Sequence, residues 1–324
     1  MTEDEVVRKI RKILDEAGEH RRIALGIGDD AALWQPSRSH RSAISTDMQV
    51  EGVHFTRSMM PLRDVGRRAM GAAVSDLAAM GARPVLATVA LAFPRQTAVD
   101  DLLDVYRGLA ECARRCAVSV AGGDLSLAPA LTLTITVVGE VRPSNVKTRS
   151  GGHAGDVVAV TGPLGAARAG LELTRQKLAV DERQAAAAEE ALRASQPRLA
   201  EGKFFAASAN VTAMLDCSDG LAIDLGRLAD ASACAATIES VPVHEAARSV
   251  ATLLGEEPER FALGAGEDYE LIVAIRPRAF AHVSMRYARC FKRPLLRVGM
   301  LGKGSGLTWN GAPLERSGWD HFSA

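Results

Sequence analysis

Acidic residues in this chain repeatedly end apolar or small-residue runs, beside a glycine or a hydroxyl, and this pattern constrains the fold more than any other. The runs are Gly26-Ile27-Gly28-Asp29-Asp30, Ile44-Ser45-Thr46-Asp47, Ser75-Asp76, Gly122-Gly123-Asp124, Asp216-Cys217-Ser218-Asp219-Gly220 and Gly266-Glu267-Asp268-Tyr269. One such run alone reads equally well as a surface turn, since Asp and Gly are common turn residues. A series set among Ala, Leu, Val and Gly is different, because an unpaired charge in apolar company is costly. A shared cation is the economical explanation. Carboxylates at strand ends, beside hydroxyls, are the hard oxygen ligands that Mg²⁺ prefers, and Mg²⁺ usually arrives with phosphates. Glycine lets the backbone turn tightly and approach a ligand closely. The pattern points to a magnesium–nucleotide site.

Hydrophobic periodicity places these runs on elements. Val6, Val7, Ile10, Ile13 and Leu14 have helical spacing, so residues 3–17 read as an amphipathic helix that Gly18 ends. Strands are expected near 23–27 and 43–46, a helix over 63–81 holding Asp76, a buried strand over 85–92, and a helix over 97–116. On spacing, Tyr106 in that last helix reads as a core residue. A short strand at 118–121 runs into Gly122-Gly123-Asp124, and 131–141 alternates Thr with Leu, Ile and Val as a strand with one wetter face. Residues 142–155, rich in glycine and polar side chains, mark a boundary between a domain of residues 1–141 and one of 142–324. Arg149 lies there, either as a solvated linker residue or as a mobile cation able to close over phosphate.

The second half reads as strand 156–161, helices to 177 and over 183–195, an apolar segment 211–217, helix 221–231 and strand 235–239. Helical pieces at 244–254 and 258–263, strand 270–275, helix 278–290 and strand 295–298 follow. Gly302-x-Gly304-x-Gly306 reads as a turn between hairpin strands, because no helix follows it. The aromatic tail Gly318-Trp319-Asp320-His321-Phe322 is expected to dock. This order suits an α/β or α+β layer.

Composition narrows the classes. Lys plus Arg and Asp plus Glu both number 39, a balance that argues against a nucleic-acid protein relying on a strongly basic surface and leaves room for a local basic patch. The five cysteines are scattered without Cys-x-x-Cys, which suits free thiols in a reducing cytoplasm, and Cys112 and Cys116 read as small buried hydrophobes on one helix face. Met1 to Asp15 is charged throughout, unlike a signal peptide, and no apolar run approaches the roughly 20 residues of a membrane span. The sequence has no P-loop, no protein-kinase catalytic loop and no Gly-x-Ser-x-Gly elbow, and its histidines lack His-x-x-x-His spacing. What remains is a set of isolated carboxylates suited to phosphoryl transfer, which asks mainly for positioning and charge neutralisation.

The runs GIGDDAAL, ISTDMQVEGVHF, VSDLAAMGARP, AGGD, TRSGGHAGDVVAVTG, LDCSDGL, GEDYEL and GWDHF follow one another from residue 26 to 322. Together they closely resemble thiamine-monophosphate kinase, of the superfamily that includes aminoimidazole ribonucleotide synthetase and selenophosphate synthetase. The resemblance implies a two-domain fold whose N-terminal domain forms a dimeric β-barrel in a homodimer, with a mixed α/β C-terminal domain and the active site in the cleft between domains. It implies direct in-line transfer of the γ-phosphoryl of ATP to thiamine monophosphate, with several Mg²⁺ ions and no acid or base residue.

On the matching positions, Asp30, Ser45, Thr46, Asp47, Asp76, Asp124, Asp216 and Asp219 would be metal ligands. Tyr106, Gly123, Arg149 and Ser218 would contact ATP. His54, Glu267 and Trp319 would contact the thiamine substrate, whose cationic thiazolium suits an aromatic face and a carboxylate. The pattern departs at Ala73-Val74, where Asn-Leu is usual, and at Leu125, where Thr is usual; neither removes a carboxylate. Another ATP-using enzyme of the superfamily is the nearest rival. A selenophosphate synthetase would call for a reactive Cys near the N-terminus, and no Cys precedes residue 112. An inactive nucleotide-binding module would have lost ligand carboxylates, and all are retained.

Overall fold

The computed structural model describes residues 2–18, 23–27, 31–315 and 317–319. Asp30, and the tail residues Asp320, His321 and Phe322, lie outside the described residues. The chain divides into two compact units, Met1–Leu77 with Ala82–Ser144 and Arg193–Gln196, and Ala78–Gly81 with Asn145–Leu192 and Pro197–Ala324.

In the first unit, α1 (Glu3–Asp15) buries Val6, Ile10 and Leu14. The Thr2 hydroxyl accepts from Glu5 N and the Glu5 carboxylate accepts from Thr2 N, a reciprocal cap on two orphan donors. Strands β1 (Ile23–Leu25) and β2 (Leu33–Trp34) form an antiparallel pair. Then come β3 (Arg41–Val50), α2 (Leu62–Ala79), β4 (Arg83–Phe93), α3 (Val99–Cys116), β5 (Ser119–Leu127) and β6 (Thr132–Val141). The sheet order is β3-β6-β4-β5, and only β4 with β5 is parallel. The Thr/apolar alternation of β6 sends Leu133, Ile135 and Val137 into the core, joined there by Val89 and Leu91 of β4. On the other face Ile44 and Met48 of edge strand β3 are 69% and 48% exposed.

Strand β5 does not stop at Ala121 as the sequence suggests but continues through Gly122-Gly123-Asp124. A Cβ on Gly123 would lie 2.0 Å from the Val89 carbonyl oxygen. Glycine here marks close approach of the neighbouring backbone and not the end of the strand. Helices α2 and α3 meet in the same manner. A Cβ on Gly66 would lie 2.0 Å from Val105 O, and one on Gly108 1.7 Å from Arg63 O. This backbone-to-backbone crossing fixes the helices that carry Asp76 and Tyr106. Cys112 and Cys116 are buried in α3 with their Sγ atoms 3.9 Å apart.

The second unit contains β7 (Val157–Val160), α4 (Ala166–Gln176), α5 (Glu182–Arg193), α6 (Leu199–Ala206), β8 (Val211–Cys217), α7 (Leu221–Ala231) and β9 (Ala235–Ile238). It continues with α8 (Glu245–Leu254), α9 (Pro258–Leu263), β10 (Glu270–Ile275), α10 (Pro277–Phe291), β11 (Leu296–Gly302), β12 (Leu307–Trp309) and β13 (Ala312–Pro313). The sheet order is β13-β12-β9-β11-β7-β10-β8. Both faces are covered. Val158, Val160, Leu215 and Ile272 pack with Leu221, Leu225 and Leu228 of α7, while Ala159, Met214, Leu271 and Val273 pack with Phe205 and Tyr287. Burial on both faces explains why β7 and β10 read as continuous apolar runs.

The glycine run 302–306 does not join hairpin neighbours: β9 lies between β11 and β12, antiparallel to one and parallel to the other. The hairpin is β12–β13, turned through Asn310 and Gly311 at φ 51° and 80°. Two positive φ values in succession are what a two-residue type I′ turn demands. No helix among the described residues is long and apolar enough to cross a membrane.

The helix crossing gives a direct test. Gly108→Ala should lower stability by at least about 2 kcal/mol in urea unfolding, because the neighbour is rigid backbone. Gly122→Ala, around which there is open space, should change it by less than about 0.5 kcal/mol.

Candidate active site

Within the first unit, β3 and α2 bring Ser45, Asp47 and Asp76 together. The Ser45 hydroxyl donates to Asp76 Oδ2. Asp47 Oδ1 accepts from Met48 N at 2.8 Å. Burial, reinforced by the Asp76 charge and opposed by the Met48 N–H, raises the Asp47 carboxyl to about 6. A carboxylate so placed gains when a cation arrives, since a nearby positive charge favours its charged form. Thr46 lies on the other face of β3, its hydroxyl 2.6 Å from that of Thr136. After β3 the chain turns through Gly52 at φ 87°, and His54 Nδ1 accepts from Val50 N at 3.1 Å. Buried Arg68 donates to the His54 carbonyl. Those two bonds fix the His54 ring and backbone.

Tyr106 is 4% exposed, as its helical spacing suggests, yet it is not remote from the acidic set. Burial, then the Asp124 charge, raises its phenol. Asp124 is exposed on β5, next to Gly123.

In the second unit, the turn after β8 organises the site residues. Asp216 is 3% exposed at the strand end. Ser218, Asp219 and Gly220 all donate their N–H groups to Asp224 Oδ2, at 3.0, 2.9 and 3.2 Å. Glu267 N donates to Ser218 O at 2.6 Å, Tyr269 N to Cys217 O at 2.8 Å, and Trp319 N to Asp219 O at 3.0 Å. One turn thus gathers Ser218, Asp219, Glu267 and Trp319. The tail is tied through its backbone at Trp319, whose side chain is 47% exposed. Glu267 and Tyr269 stand at φ 67° and 51°. Non-glycine residues in this region cost roughly 1–2 kcal/mol each, so the surroundings must hold them. Part of the hold is Asp268, whose carboxylate accepts from Gly165 N at the start of α4. Burial raises the Asp268 carboxyl to about 8, while backbone N–H donors of Gly165, Ala167 and Ala166 oppose that rise.

Sequence reasoning passes over Asp224 and, though it names Asp268 in the Gly266–Tyr269 run, gives it no role. Asp224 carried a usable signal, an acid on the first turns of a helix that begins right after Ser-Asp-Gly, where loop N–H groups lack partners. Arg227 Nη1 donates to Asp219 Oδ2 and, at 2.8 Å, to Asp224 Oδ1. Arg149 lies in a 3₁₀ turn, Arg149–Gly151, with its side chain exposed.

The donor chemistry fits Mg²⁺. Ser45, Thr46, Asp47, Asp76 and Asp124 in one unit, and Asp216 and Asp219 in the other, offer oxygen ligands only. Among the described residues no three His, Cys, Asp or Glu side chains close on one point. Mg²⁺ is commonly held by one or two carboxylates, with waters and substrate phosphates completing its shell.

Residues 28–141 match the family described as AIR synthase related protein, N-terminal domain, and residues 153–278 match AIR synthase related protein, C-terminal domain. The thiamine-monophosphate kinase of Rhodopirellula baltica is 34% identical over 295 residues, 88% of this chain and 85% of that protein. That of Synechococcus elongatus is 37% identical over 257 residues, 77% of each. Among solved structures, thiamine-monophosphate kinase from Stenotrophomonas maltophilia superposes with a TM-score of 0.85 at 32% identity, covering 97% of this chain and 98% of that one. AaThiL complexed with AMPPCP and TMP superposes with a TM-score of 0.79 at 28% identity, covering 99% and 97%. The hydrogenase maturation protein HypE, at 18% identity and a TM-score of 0.77, shares the fold. The fold is thus the two-domain α/β arrangement of the AIR synthase related family, with mixed sheets.

The raised Asp47 carboxyl has a thermodynamic consequence. Between pH about 4 and 6 the folded protein keeps a proton that the unfolded chain releases, so this group's contribution to stability falls as pH rises through that window. In metal-free buffer Asp47→Asn should stabilise the protein at pH 8 by about 1–2 kcal/mol, with the gain gone near pH 4. Urea unfolding at both pH values in a chelator checks this.

Proposed function

The chain belongs to the thiamine-monophosphate kinases of the AIR synthase related family, and from that membership we propose that it transfers the γ-phosphoryl group of ATP to thiamine monophosphate, giving thiamine diphosphate and ADP. The observation that carries the reading at the level of residues is the half-buried oxygen cluster Ser45–Asp47–Asp76. Its two carboxylates lie close enough for one charge to raise the other, a cost that a cation would remove.

The acceptor is an ionised phosphate monoester, so its oxygen is already a nucleophile and no residue is assigned as acid or base. Attack is in line, with no phosphoenzyme. Asp30, Ser45, Thr46, Asp47, Asp76, Asp124, Asp216 and Asp219 would hold several Mg²⁺ ions, which supply charge neutralisation between two phosphates that otherwise repel. Tyr106, Gly123, Arg149 and Ser218 would position ATP. His54, Glu267 and Trp319 would take the thiamine moiety: the half-exposed indole offers a face to the thiazolium and Glu267 a counter-charge. The loop strain at Glu267 fits a residue held for binding rather than for folding.

Residues 1–141 are assigned nucleotide and metal binding together with dimerisation, and residues 142–324 the remainder of the site. The exposed Ile44 and Met48 on the open face of a four-stranded sheet suit a second copy of this chain. Two such sheets facing each other would make a shared β-barrel. Free thiols throughout the described residues favour the cytoplasm.

The experiment that tests the reaction is ADP formation from Mg-ATP with thiamine monophosphate, with free thiamine, and with no acceptor. Turnover is expected only with thiamine monophosphate, and Asp47→Asn should lower it at least about a hundredfold. Turnover with free thiamine, or equal ATP hydrolysis in all three, would overturn the assignment. For the dimer, Ile44→Glu should halve the mass seen by light scattering; an unchanged mass would remove this face from the interface.

A further inference from the structure

Arg149 reads from sequence either as a solvated linker residue or as a mobile cation, but its backbone is held on several sides. Thr148 O accepts from Met214 N at 3.2 Å. Lys147 Nζ donates to Ser208 O and Val211 O at 2.9 and 2.8 Å. Gly151 lies so close to β8 that a Cβ would stand 2.0 Å from Thr212 O. Buried Asp156 accepts from His153 N at 2.9 Å and from the Thr212 hydroxyl at 2.6 Å.

The remaining bonds across the turn converge on one side chain. The Ser232 hydroxyl donates to Arg149 O at 2.6 Å and accepts from Gly152 N at 3.0 Å. It thereby spans the 3₁₀ turn from its first residue to the residue after its last. Ser232 is itself fixed at the end of α7, its N–H shared between Leu228 O and Ala229 O. A hydroxyl has one proton to donate and lone pairs to accept, and both capacities are used. Alanine could supply neither. The Arg149 guanidinium makes no hydrogen bond or ion pair among the described residues, so the turn fixes where this side chain starts while its charge stays available.

We propose that Ser232 is a positioning residue for nucleotide binding: by closing the Arg149–Gly151 turn onto the end of α7 it pre-sets the Arg149 guanidinium for the phosphates of ATP. The inference rests on the reading of Arg149 as an ATP contact. It assigns Ser232 no contact with substrate. Pre-organisation lowers the cost of ordering on binding, so the effect belongs in nucleotide affinity. The same helix carries the Ser218–Asp219 turn at its other end, which makes α7 a common ruler for two groups of candidate phosphate and metal contacts.

The test combines steady-state kinetics with calorimetric titration of a non-hydrolysable ATP analogue in Mg²⁺ buffer. Ser232→Ala should raise the KM for ATP and the analogue Kd by about tenfold, the loss expected of two backbone hydrogen bonds. The KM for thiamine monophosphate and kcat should stay within about twofold. Ser232→Thr, which keeps the hydroxyl, should restore ATP affinity. Arg149→Met should weaken ATP as well, and the double variant should be no worse than Arg149→Met alone, since residues acting through one another are not additive. If Arg149→Met weakens ATP but Ser232→Ala and Ser232→Thr both bind normally, the positioning role is overturned and the ATP reading stands. If Arg149→Met itself leaves ATP affinity unchanged, the Arg149 assignment fails and the inference with it. Additive losses in the double variant, or a fall in kcat with both KM values unchanged, would make Ser232 a purely structural residue. Should Ser232→Ala not fold, the comparison of Ser232→Thr with Ser232→Cys, a much weaker donor, decides between the same outcomes.

Discussion

The carboxylate of Asp224, almost wholly withdrawn from water, accepts three successive backbone N–H groups from Ser218, Asp219 and Gly220, and much of the second unit hangs on that contact. A carboxylate at such a depth is tolerated only when donors answer it. In answering it, the turn points its own carbonyls outward, and these take the N–H groups of Glu267 and Trp319. Substitution of Asp224 would therefore release two other loops along with its own. Asp268 repeats the arrangement at the start of α4, and Glu270 repeats it with Arg198, at 2.6 and 3.0 Å, and with the Thr161 hydroxyl. Removing a partner from such a pair leaves an uncompensated buried charge, which is the costly direction.

Both units raise their withdrawn acids: in the second, burial lifts the Asp224 carboxyl to about 6 and the Asp268 carboxyl to about 8 against the N–H groups each accepts. In the second unit the deeply buried acids have donors built in. In the first unit burial, then the Asp76 charge, raises the Asp47 carboxyl to about 6 against the Met48 N–H, the Gln49 side chain and the Arg68 charge. What sets Asp47 apart is the like charge of Asp76 beside it, a cost that a divalent cation would relieve. Such a like-charge pair suits phosphoryl transfer, where fixed charge and geometry do the work and no side chain forms a covalent bond to the substrate.

Much of this was legible in the chain. Period-2 alternation in residues 131–141 and helical spacing in residues 3–17 located β6 and α1 to within two residues because one face of each is buried and the other is wet. Residues 221–231 and 270–275 were legible to the residue, bounded by Gly220 and by the Gly266 loop. Helix α6 was not legible: its Phe204 and Phe205 face an aromatic cluster with Tyr287 and Phe291, and eight residues show little periodicity. The continuation of β5 through two glycines was misread because glycine signals a turn locally and close packing only in three dimensions. Candidate ligands were visible as carboxylates in apolar settings. Asp224 and Ser232, which hold loops that carry candidate contacts, were invisible for the opposite reason, since a buried acid on a helix or a serine at its end looks ordinary until its partners are known.

The central claim is that this fold joins two phosphates directly, with the carboxylate cluster serving cations and no residue carrying the phosphoryl group. Phosphorus NMR of a mixture of Mg-ATP and thiamine monophosphate with the protein tests it most directly. The account predicts that the monophosphate resonance is replaced by the two coupled resonances of thiamine diphosphate, in equal amount with ADP and without inorganic phosphate. Accumulation of inorganic phosphate beside an unchanged thiamine monophosphate resonance would contradict it.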